Sequence, residues 1–308
     1  MSLLRATLPK PLGTVVQPIV DTSTGVARLY AIECLTRGPR GTRLEQAPPL
    51  FDYIRSRGLE TPMDRACIAE ALRNAAGYPC RISVNAHPST LQDGFAAFLL
   101  DQSQRWSIDP ARLIVEIGEQ SPCSDMQSFN RTLIALRQYG VAIAIDDVGF
   151  GHSNYKAILD SRPEFLKIDR YFINGVADDP ARMVVVESIL RLADHFGAQV
   201  IAEGVEREQD HTALRGAGLT LFQEFLFGRP LQVSRDRAQH PFVDGVLQYD
   251  QPIQQPFVQP GVDLADERNE PVRRGQHRQQ RAVNWLGFRP FERVVRETAT
   301  EQVRVDRP

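Results

Sequence analysis

The chain has 308 residues, of which 42% are hydrophobic and 24% charged, a composition typical of a soluble globular protein. This length accommodates one large core, such as a single barrel of about 250 residues, or two smaller cores. The formal net charge of -2 excludes a general electrostatic attraction to nucleic acid or to acidic membrane surfaces.

The cysteines and the N-terminal residues indicate a compartment. Cys34, Cys67, Cys80 and Cys123 lack the short paired spacings of a zinc site or a disulfide framework, and reduced thiols in a cytoplasmic protein are the simpler interpretation. Residues 1–12 lack the apolar core of a signal peptide, and no apolar run approaches membrane-spanning length. We therefore expect a soluble, cytoplasmic chain with no membrane partner.

Predicted strands and helices alternate along the chain. Strands are predicted at residues 15–20, 26–35, 81–86, 113–117, 142–145, 163–168, 199–203 and 219–227. Helices are predicted at residues 49–57, 62–76, 94–104, 125–139, 180–196 and 206–216. Thr61 is the predicted N-cap of the second helix, with Pro62 at its first position. The first two strands pair as a hairpin, and the alternation that follows predicts a parallel α/β sheet, closed into a barrel rather than open.

The composition divides the chain into three parts. Residues 1–12 are a short lead, residues 13–248 form the barrel, and residues 249–308 are rich in Pro, Gln and Arg. Such a composition is typical of a poorly ordered segment. The arginines leave a nucleic-acid-binding arm open, but interspersed glutamates dilute the charge, so a solvated tail without a nucleic-acid polymer partner is favoured.

Two adjacent carboxylates end one apolar strand. Residues 142–145 are apolar, and Asp146 and Asp147 follow, then Gly149 and Gly151. Because successive strand residues point to opposite faces, both carboxylates can face inward only if the backbone turns, which the glycines permit. Buried carboxylates require protonation, a partner or a cation. Taken alone, the pattern fits a turn and a metal site about equally well.

Other predicted strands also end in polar residues. These are Glu33, Asn85, Glu116, Lys167, Glu203 and Gln223. The strand ends of a (β/α) barrel converge on one face, where catalytic loops lie. Carboxylate and amide oxygens suit Mg²⁺ or Mn²⁺ better than zinc. An aspartate pair shared by two ions about 3.5–4 Å apart is the arrangement that clamps a phosphodiester for attack by water.

Seven short motifs contain or flank these polar strand ends. They are Glu33-Cys34-Leu35 with Arg37, after Gln17-Pro18-Ile19-Val20; Val84-Asn85; Glu116-Ile117-Gly118-Glu119; Asp146-Asp147-Val148-Gly149-Phe150-Gly151; Leu166-Lys167-Ile168-Asp169-Arg170; Ala202-Glu203-Gly204-Val205-Glu206; and Gln223-Glu224-Phe225-Leu226-Phe227. In this order they resemble the motifs of the EAL domain family, the bacterial cyclic-di-GMP phosphodiesterases. One motif alone is weak evidence, but seven in order are highly specific. The resemblance covers residues 13–245.

The resemblance implies a fold and an activity. The fold would be α/β, a modified TIM-type (β/α)8 barrel with an antiparallel first strand. The activity would be hydrolysis of cyclic-di-GMP to linear pGpG with two Mg²⁺ or Mn²⁺ ions per site, and Ca²⁺ would inhibit it. The family also allows a homodimer through the loop after Asp147.

The resemblance further implies two metal positions. The first metal would be held by Glu33, Asn85, Glu116 and Asp146. The second would be held by Asp146, Asp147 and Glu203. Asp147 also counts among the implied catalytic residues, together with Lys167 and Glu203.

Five residues have other implied roles. Lys167 would orient or help to activate the attacking water, and Glu203 is the candidate general base. Arg37 would contact a substrate phosphate, and Gln223 would order the metal-water shell. Glu119 would anchor the loop that follows the aspartate pair.

Structural alternatives remain for several of these residues. Lys167 could form a salt bridge with Asp169 or another carboxylate, and Asn85 could cap a strand end. For Asp169 and Glu206, a structural ion pair or cap is as well supported as a functional role.

Some positions depart from the family pattern. Phe150 replaces a small hydroxyl residue, Gly118 replaces a threonine, Glu224 replaces a glycine, and Gly38 replaces an aromatic residue. Because the metal-ligand set is intact, an enzyme is favoured. The altered loop favours the alternative, a catalytically weak EAL domain that acts as a cyclic-di-GMP receptor or a protein-interaction module. An unrelated metal-dependent barrel hydrolase would leave the motif order unexplained.

Overall fold

The computed structural model describes residue 8 and residues 11–118, 125–149 and 154–223, with the backbone of short strands at 231–232, 242–243 and 246–247. Several predictions lie outside these residues. They concern Glu119, the altered loop with Phe150, Glu224, the end of the last predicted strand, most of the lead and the tail at 249–308.

Eight strands of the described chain close a barrel. They are β1 (Gly13–Asp21), β2 (Arg28–Arg37), β3 (Arg81–Ala86), β4 (Leu113–Ile117), β5 (Ala142–Val148), β6 (Phe165–Ile168), β7 (Gln199–Glu203) and β8 (Leu221–Gln223). Strands β2 to β8 pair in parallel in chain order, and β1 closes the ring by pairing antiparallel with both β2 and β8. The predicted α/β barrel with an antiparallel first strand is therefore confirmed.

Helices follow most of the strands. They are α1 (Ala47–Arg55), α2 (Glu60–Ala75), α3 (Phe95–Arg105), α4 (Met126–Gln138), α5 (Asn154–Ser161), α6 (Arg170–Ile173), α7 (Pro180–Phe196) and α8 (Glu208–Gly216). Single 3-10 turns lie at Pro88–Thr90, Pro110–Arg112 and Val176–Asp178. Short strands β9 (Leu231–Gln232), β10 (Phe242–Val243) and β11 (Val246–Leu247) extend the sheet. Among the helices described, none has the length and apolar character needed to cross a membrane.

The predicted N-cap at Thr61 is wrong. Helix α2 begins at Glu60, so Leu59 is its N-cap residue and supplies no side-chain hydrogen bond. Pro62 then lies within the first helical turn, where backbone N–H groups have no intrahelical acceptor and a missing N–H costs little. Helices α5 and α6 were not predicted, because they are only eight and four residues long, too short for a helical period to stand out.

The barrel interior contains a layer of apolar side chains. It is formed by Ile19, Ala31, Ile114, Ala144, Phe165, Ile201 and Leu221, which are nearly or fully buried and pack together. A second, larger apolar cluster includes side chains of the strands and of helices such as α2, α4 and α7. These apolar side chains fill the part of the barrel that they occupy, so that part is a packed core. A polar site can therefore open only at one end of the barrel.

Candidate active site

The polar side chains lie two residues further along their strands than the apolar layer. Glu33, Glu116, Asp146, Lys167, Glu203 and Gln223 each follow, two residues later, one of Ala31, Ile114, Ala144, Phe165, Ile201 and Leu221. Because strand side chains alternate between faces with a period of two, both sets point into the barrel. The polar set therefore forms a second layer at the C-terminal end of the parallel strands.

Strand β1 contributes to the same layer in the opposite chain direction. Gln17 lines the cleft above the apolar layer, and it precedes Ile19 by two residues because β1 runs antiparallel to its neighbours. Sequence reasoning did not assign Gln17 a site position although it predicted an antiparallel first strand, since the residue pattern does not show which side chains of that strand meet the other strand ends.

Lys167 lies at the centre of four carboxylates. Its Nζ is 2.6 Å from Glu203 Oε1 and 2.8 Å from Glu116 Oε2. It is also 3.2 Å from Asp146 Oδ1 and 3.3 Å from Glu33 Oε2. The lysine side chain is only 1% exposed. The salt bridges foreseen as an alternative for Lys167 are thus present, but with these four residues rather than with Asp169.

Amide and hydroxyl groups hold two of the carboxylates. Glu33 accepts hydrogen bonds from Asn85 Nδ2 at 2.7 Å and from Gln223 Nε2. Glu116 accepts a hydrogen bond from Ser83 Oγ at 2.5 Å. Sequence reasoning missed Ser83, although this residue lies two positions before Asn85 in a strand that alternates polar and apolar residues. That period-two spacing of polar residues was the available signal.

The aspartate pair depends on an unusual backbone conformation at Asp147. This residue has φ +54°, and the pairing of β5 with β6 shifts register between Ile145 and Val148. Asp147 itself is therefore left-handed, in addition to Gly149 with φ +104°, whereas only the glycines had been expected to provide the turn. As a result, oxygen atoms of Asp146, Asp147 and Glu203 all lie within 4.8 Å of one another.

Burial and mutual repulsion shift the ionisation of these groups. Burial, with a further contribution from Asp146, raises the pKa of Glu203 to about 8, although Lys167 opposes the shift. Burial and Asp146 also raise the pKa of Asp147 to about 6. Burial alone would lower the pKa of Lys167, but the surrounding carboxylates raise it well above its usual value. A charged lysine therefore faces more carboxylates than it can neutralise.

The donor set fits divalent cations. Asp146 Oδ1 and Gln223 Oε1 are buried and accept no hydrogen bond from the described residues. Lys167 Nζ lies within ion-pair distance of Asp146 Oδ1 but does not meet hydrogen-bond geometry. Unsatisfied buried oxygens beside an excess of carboxylates are what hard cations such as Mg²⁺ and Mn²⁺ require.

A cleft of about 330 Å³ opens above this layer, within the range of small-molecule sites. Its lining residues are Gln17, Glu33, Leu35, Asp146, Asp147, Lys167, Asp169, Arg170, Glu203, Gly204, Glu206 and Gln223. Asp169 and Glu206 thus border the cleft, and Asp169 also caps α6 by accepting the Tyr171 N–H at 2.7 Å. Arg37 is not among the lining residues, and its Nη1 donates to the Thr36 carbonyl at 2.9 Å.

Comparison with known proteins identifies the class to which this barrel belongs. A family model for the EAL domain matches residues 2–230. The chain is a member of the EAL domain family, as the ordered motifs had indicated.

Two curated relatives carry cyclic-di-GMP phosphodiesterase names. The chain is 32% identical over 178 residues to the probable cyclic di-GMP phosphodiesterase PdeA of Escherichia coli, covering 56% of this chain and 24% of that protein. It is 27% identical over 249 residues to the cyclic di-GMP phosphodiesterase PA2567 of Pseudomonas aeruginosa, covering 74% and 41%. The chain thus spans less than half the length of either relative.

A solved structure has the same barrel. BlrP1 of Klebsiella pneumoniae, in a complex with calcium and cyclic-di-GMP, aligns with a TM-score of 0.66 and 26% identity over 73% of this chain and 57% of that one. Its complex with manganese and cyclic-di-GMP aligns with a TM-score of 0.65 and 27% identity, over 72% and 57%. These likenesses support the fold assignment independently of the motifs.

Proposed function

We propose that this chain hydrolyses cyclic-di-GMP to linear pGpG with two Mg²⁺ or Mn²⁺ ions. The observation that carries the proposal is the polar layer, in which four carboxylates surround one buried lysine and the Asp146–Asp147–Glu203 oxygens cluster. The phosphodiesterase names of the relatives and the bound ligand of the structural neighbour support the same substrate.

The proposed ligand sets follow the sequence prediction. The first ion would be held by Glu33, Asn85, Glu116 and Asp146. The second would be held by Asp146, Asp147 and Glu203. When bound, such ions lower the pKa of coordinated water and offset the charge that builds up on the phosphorus oxygens.

Protein side chains would handle the proton and the orientation of water. In hydrolysis, a water oxygen bonds to phosphorus, the P–O3′ bond breaks, and the leaving oxygen takes up a proton. Glu203, as general base, would take the proton of the attacking water. Lys167 would remain charged, since the carboxylates around it raise its pKa, and it would orient the water and stabilise developing negative charge.

Three further roles remain predictions. Gln223 would order metal-bound water, for which its buried Oε1 offers an acceptor. Arg37 would contact a substrate phosphate, since the Thr36 carbonyl accepts from only one of its guanidinium nitrogens. Glu119 would anchor the loop after the aspartate pair, through which a homodimer would form.

The alternative is a cyclic-di-GMP receptor or protein-interaction module with weak catalysis. It is supported by three residues of this chain that differ from the family pattern, Phe150, Gly118 and Glu224. The enzyme and the receptor bind the same ligand and differ in turnover.

Turnover measured by chromatography separates the two. The purified chain is expected to convert cyclic-di-GMP to pGpG in Mg²⁺ or Mn²⁺, to lose turnover in chelator, and to bind the nucleotide without turnover in Ca²⁺. A Glu33→Ala variant, which loses a first-metal ligand, should be inactive. Tight binding by the parent without turnover at any Mg²⁺ or Mn²⁺ concentration would establish the receptor.

A further inference from the structure

Asp147 holds a conformation that L-residues adopt at a cost. Its φ of +54° lies in the left-handed region, and such positions persist where the surroundings hold them in place. The conformation matters because it brings the Asp147 oxygens beside those of Asp146 and Glu203. The contacts that hold the Asp147 backbone therefore also affect the geometry of the site.

A phenylalanine ring packs directly on the backbone that follows Asp147. A Cβ built on Gly149 would lie 2.5 Å from Phe172 Cε2 and 3.0 Å from Cδ2, so the ring rests against the glycine Cα. Gly149 also has φ +104°, so both its backbone and its missing side chain are required here. The neighbouring Val148 carbonyl accepts the Asp169 N–H at 3.4 Å.

The helix that carries Phe172 has a second close contact. A Cβ on Gly204 would lie 2.1 Å from Arg170 Cβ and 2.8 Å from Arg170 Cα. Gly204 directly follows Glu203. One turn of helix, α6, thus packs on the backbone after the aspartate pair with one residue and on the backbone after Glu203 with another.

Local contacts fix the position of α6. It begins three residues after Lys167, Asp169 caps its first turn, and Ile173 is fully buried in the core. A rigid element between the ends of β5 and β7 can set the distance between the groups those strands carry.

We propose that α6 is a wedge that spaces the Asp146–Asp147 pair relative to Glu203, and that Phe172 is a positioning residue for cation binding at these carboxylates. The inference rests on the metal-binding part of the proposed function. Phe172 is not among the residues that line the cleft. It acts through Gly149 on the conformation of Asp147.

The test compares two phenylalanines packed on the same core cluster, Phe172 and Phe196. Phe172→Leu removes the flat ring from Gly149 but keeps an apolar side chain, and Phe196→Leu is the matched control at the end of α7. Mn²⁺ binding to each full-length variant is followed by the loss of the free-ion electron paramagnetic resonance signal. Melting temperatures are measured in chelator.

Phe172→Leu should weaken Mn²⁺ binding about tenfold or more, the usual effect of losing a group that orients metal ligands. Phe196→Leu should bind Mn²⁺ like the parent, while both variants lose similar thermal stability. Parental Mn²⁺ affinity in Phe172→Leu would overturn the wedge. Absence of Mn²⁺ binding in the parent would overturn the proposed function as well, and binding without turnover would overturn only the enzyme.

A double-mutant cycle with Gly149→Ala tests the contact itself. The added methyl group would occupy the space of the Phe172 ring, so Gly149→Ala should also weaken Mn²⁺ binding. If the two residues act through their contact, the double variant should lose less affinity than the product of the two single losses. Independent, multiplicative losses would contradict the contact.

Discussion

Lys167 is costly to bury, because its side chain is 1% exposed and a buried charge is tolerated only with partners. Its partners are four carboxylates, so the lysine is both a structural counter-ion and the candidate for transition-state stabilisation. The structural role predicts a loss of stability in chelator, and the catalytic role predicts a loss of turnover in metal. The substitution Lys167→Ala separates the two roles.

Lys167→Ala should lower both stability and turnover. Removing one member of a buried ion-pair cluster typically costs about 3–5 kcal/mol, so unfolding in chelator should be easier by about that amount. Saturating Mn²⁺ should restore much of the loss, because cations replace the missing charge. Turnover in Mn²⁺ should fall about 10²–10³-fold, with cyclic-di-GMP binding retained.

Lys156→Ala is the control for that substitution. Lys156 is 71% exposed and pairs only with Asp160 within α5 in the described chain, so stability and turnover should change little. Denaturant unfolding and chromatographic rates measure both. Parental turnover in Lys167→Ala would leave the lysine with a structural role alone.

At the scale of single residues, Ser83 holds the side chain of Glu116 in place. Its hydroxyl is fully buried and donates to Glu116 Oε1, so Ser83→Ala leaves a proposed metal ligand less well oriented. We expect metal affinity to fall about tenfold. Calorimetric titration with Mn²⁺ measures the change.

Ser103→Ala provides the comparison for Ser83→Ala. Ser103 is also buried, but it donates to the Leu99 carbonyl within α3 rather than to a residue of the polar layer. Its loss should leave Mn²⁺ affinity unchanged. Equal effects of the two serine substitutions would mean that only general packing was disturbed.

At the scale of elements, α2 anchors the segment after β3. Asp64 of α2 accepts the His87 N–H at 2.7 Å and the Thr90 hydroxyl at 2.8 Å. The aspartate is 8% exposed. The strand that carries Asn85 is therefore tied at its end to the helix that precedes it.

Asp64→Ala should destabilise the chain by about 2–4 kcal/mol, because two donors lose a buried acceptor. Asp101→Ala, at an exposed aspartate of α3, should cost less than about 0.5 kcal/mol. Chemical denaturation of both variants tests the difference. Similar unfolding midpoints would show that the anchor contributes nothing to stability.

At the scale of the molecule, the proposed barrel boundary lies near residue 248. The last described strand, β11, ends at Leu247 and reaches the barrel through pairing of Val246 with Arg28 of β2. A chain ending at Leu247 should therefore keep the melting temperature and solubility of the parent. A chain ending at Gln223 should be less stable, since it also lacks β9, which pairs with β1.

That truncation pair also tests the tail. If the chain ending at Leu247 already melts lower or precipitates, residues 249–308 contribute to the fold and the boundary is wrong. Thermal melting with light scattering records both outcomes.

Several features were determined by the sequence alone. Strands β4 and β7 and helix α7 have the predicted bounds, because apolar runs and capping residues act over a few neighbours. The order of polar residues at strand ends identified the family. The period-two spacing of polar residues in β3 also indicated Ser83, although that signal was not used.

Other features were decided only by tertiary structure. Closure of the barrel brings Gln17 of β1 into the cleft, and contacts with β6 and α6 accompany the left-handed backbone of Asp147. Neither the cleft position of Gln17 nor the backbone of Asp147 follows from local pattern, since both depend on residues distant in the chain. The physical reason is that periodicity specifies which face of a strand is polar, whereas closure of the barrel determines which faces meet.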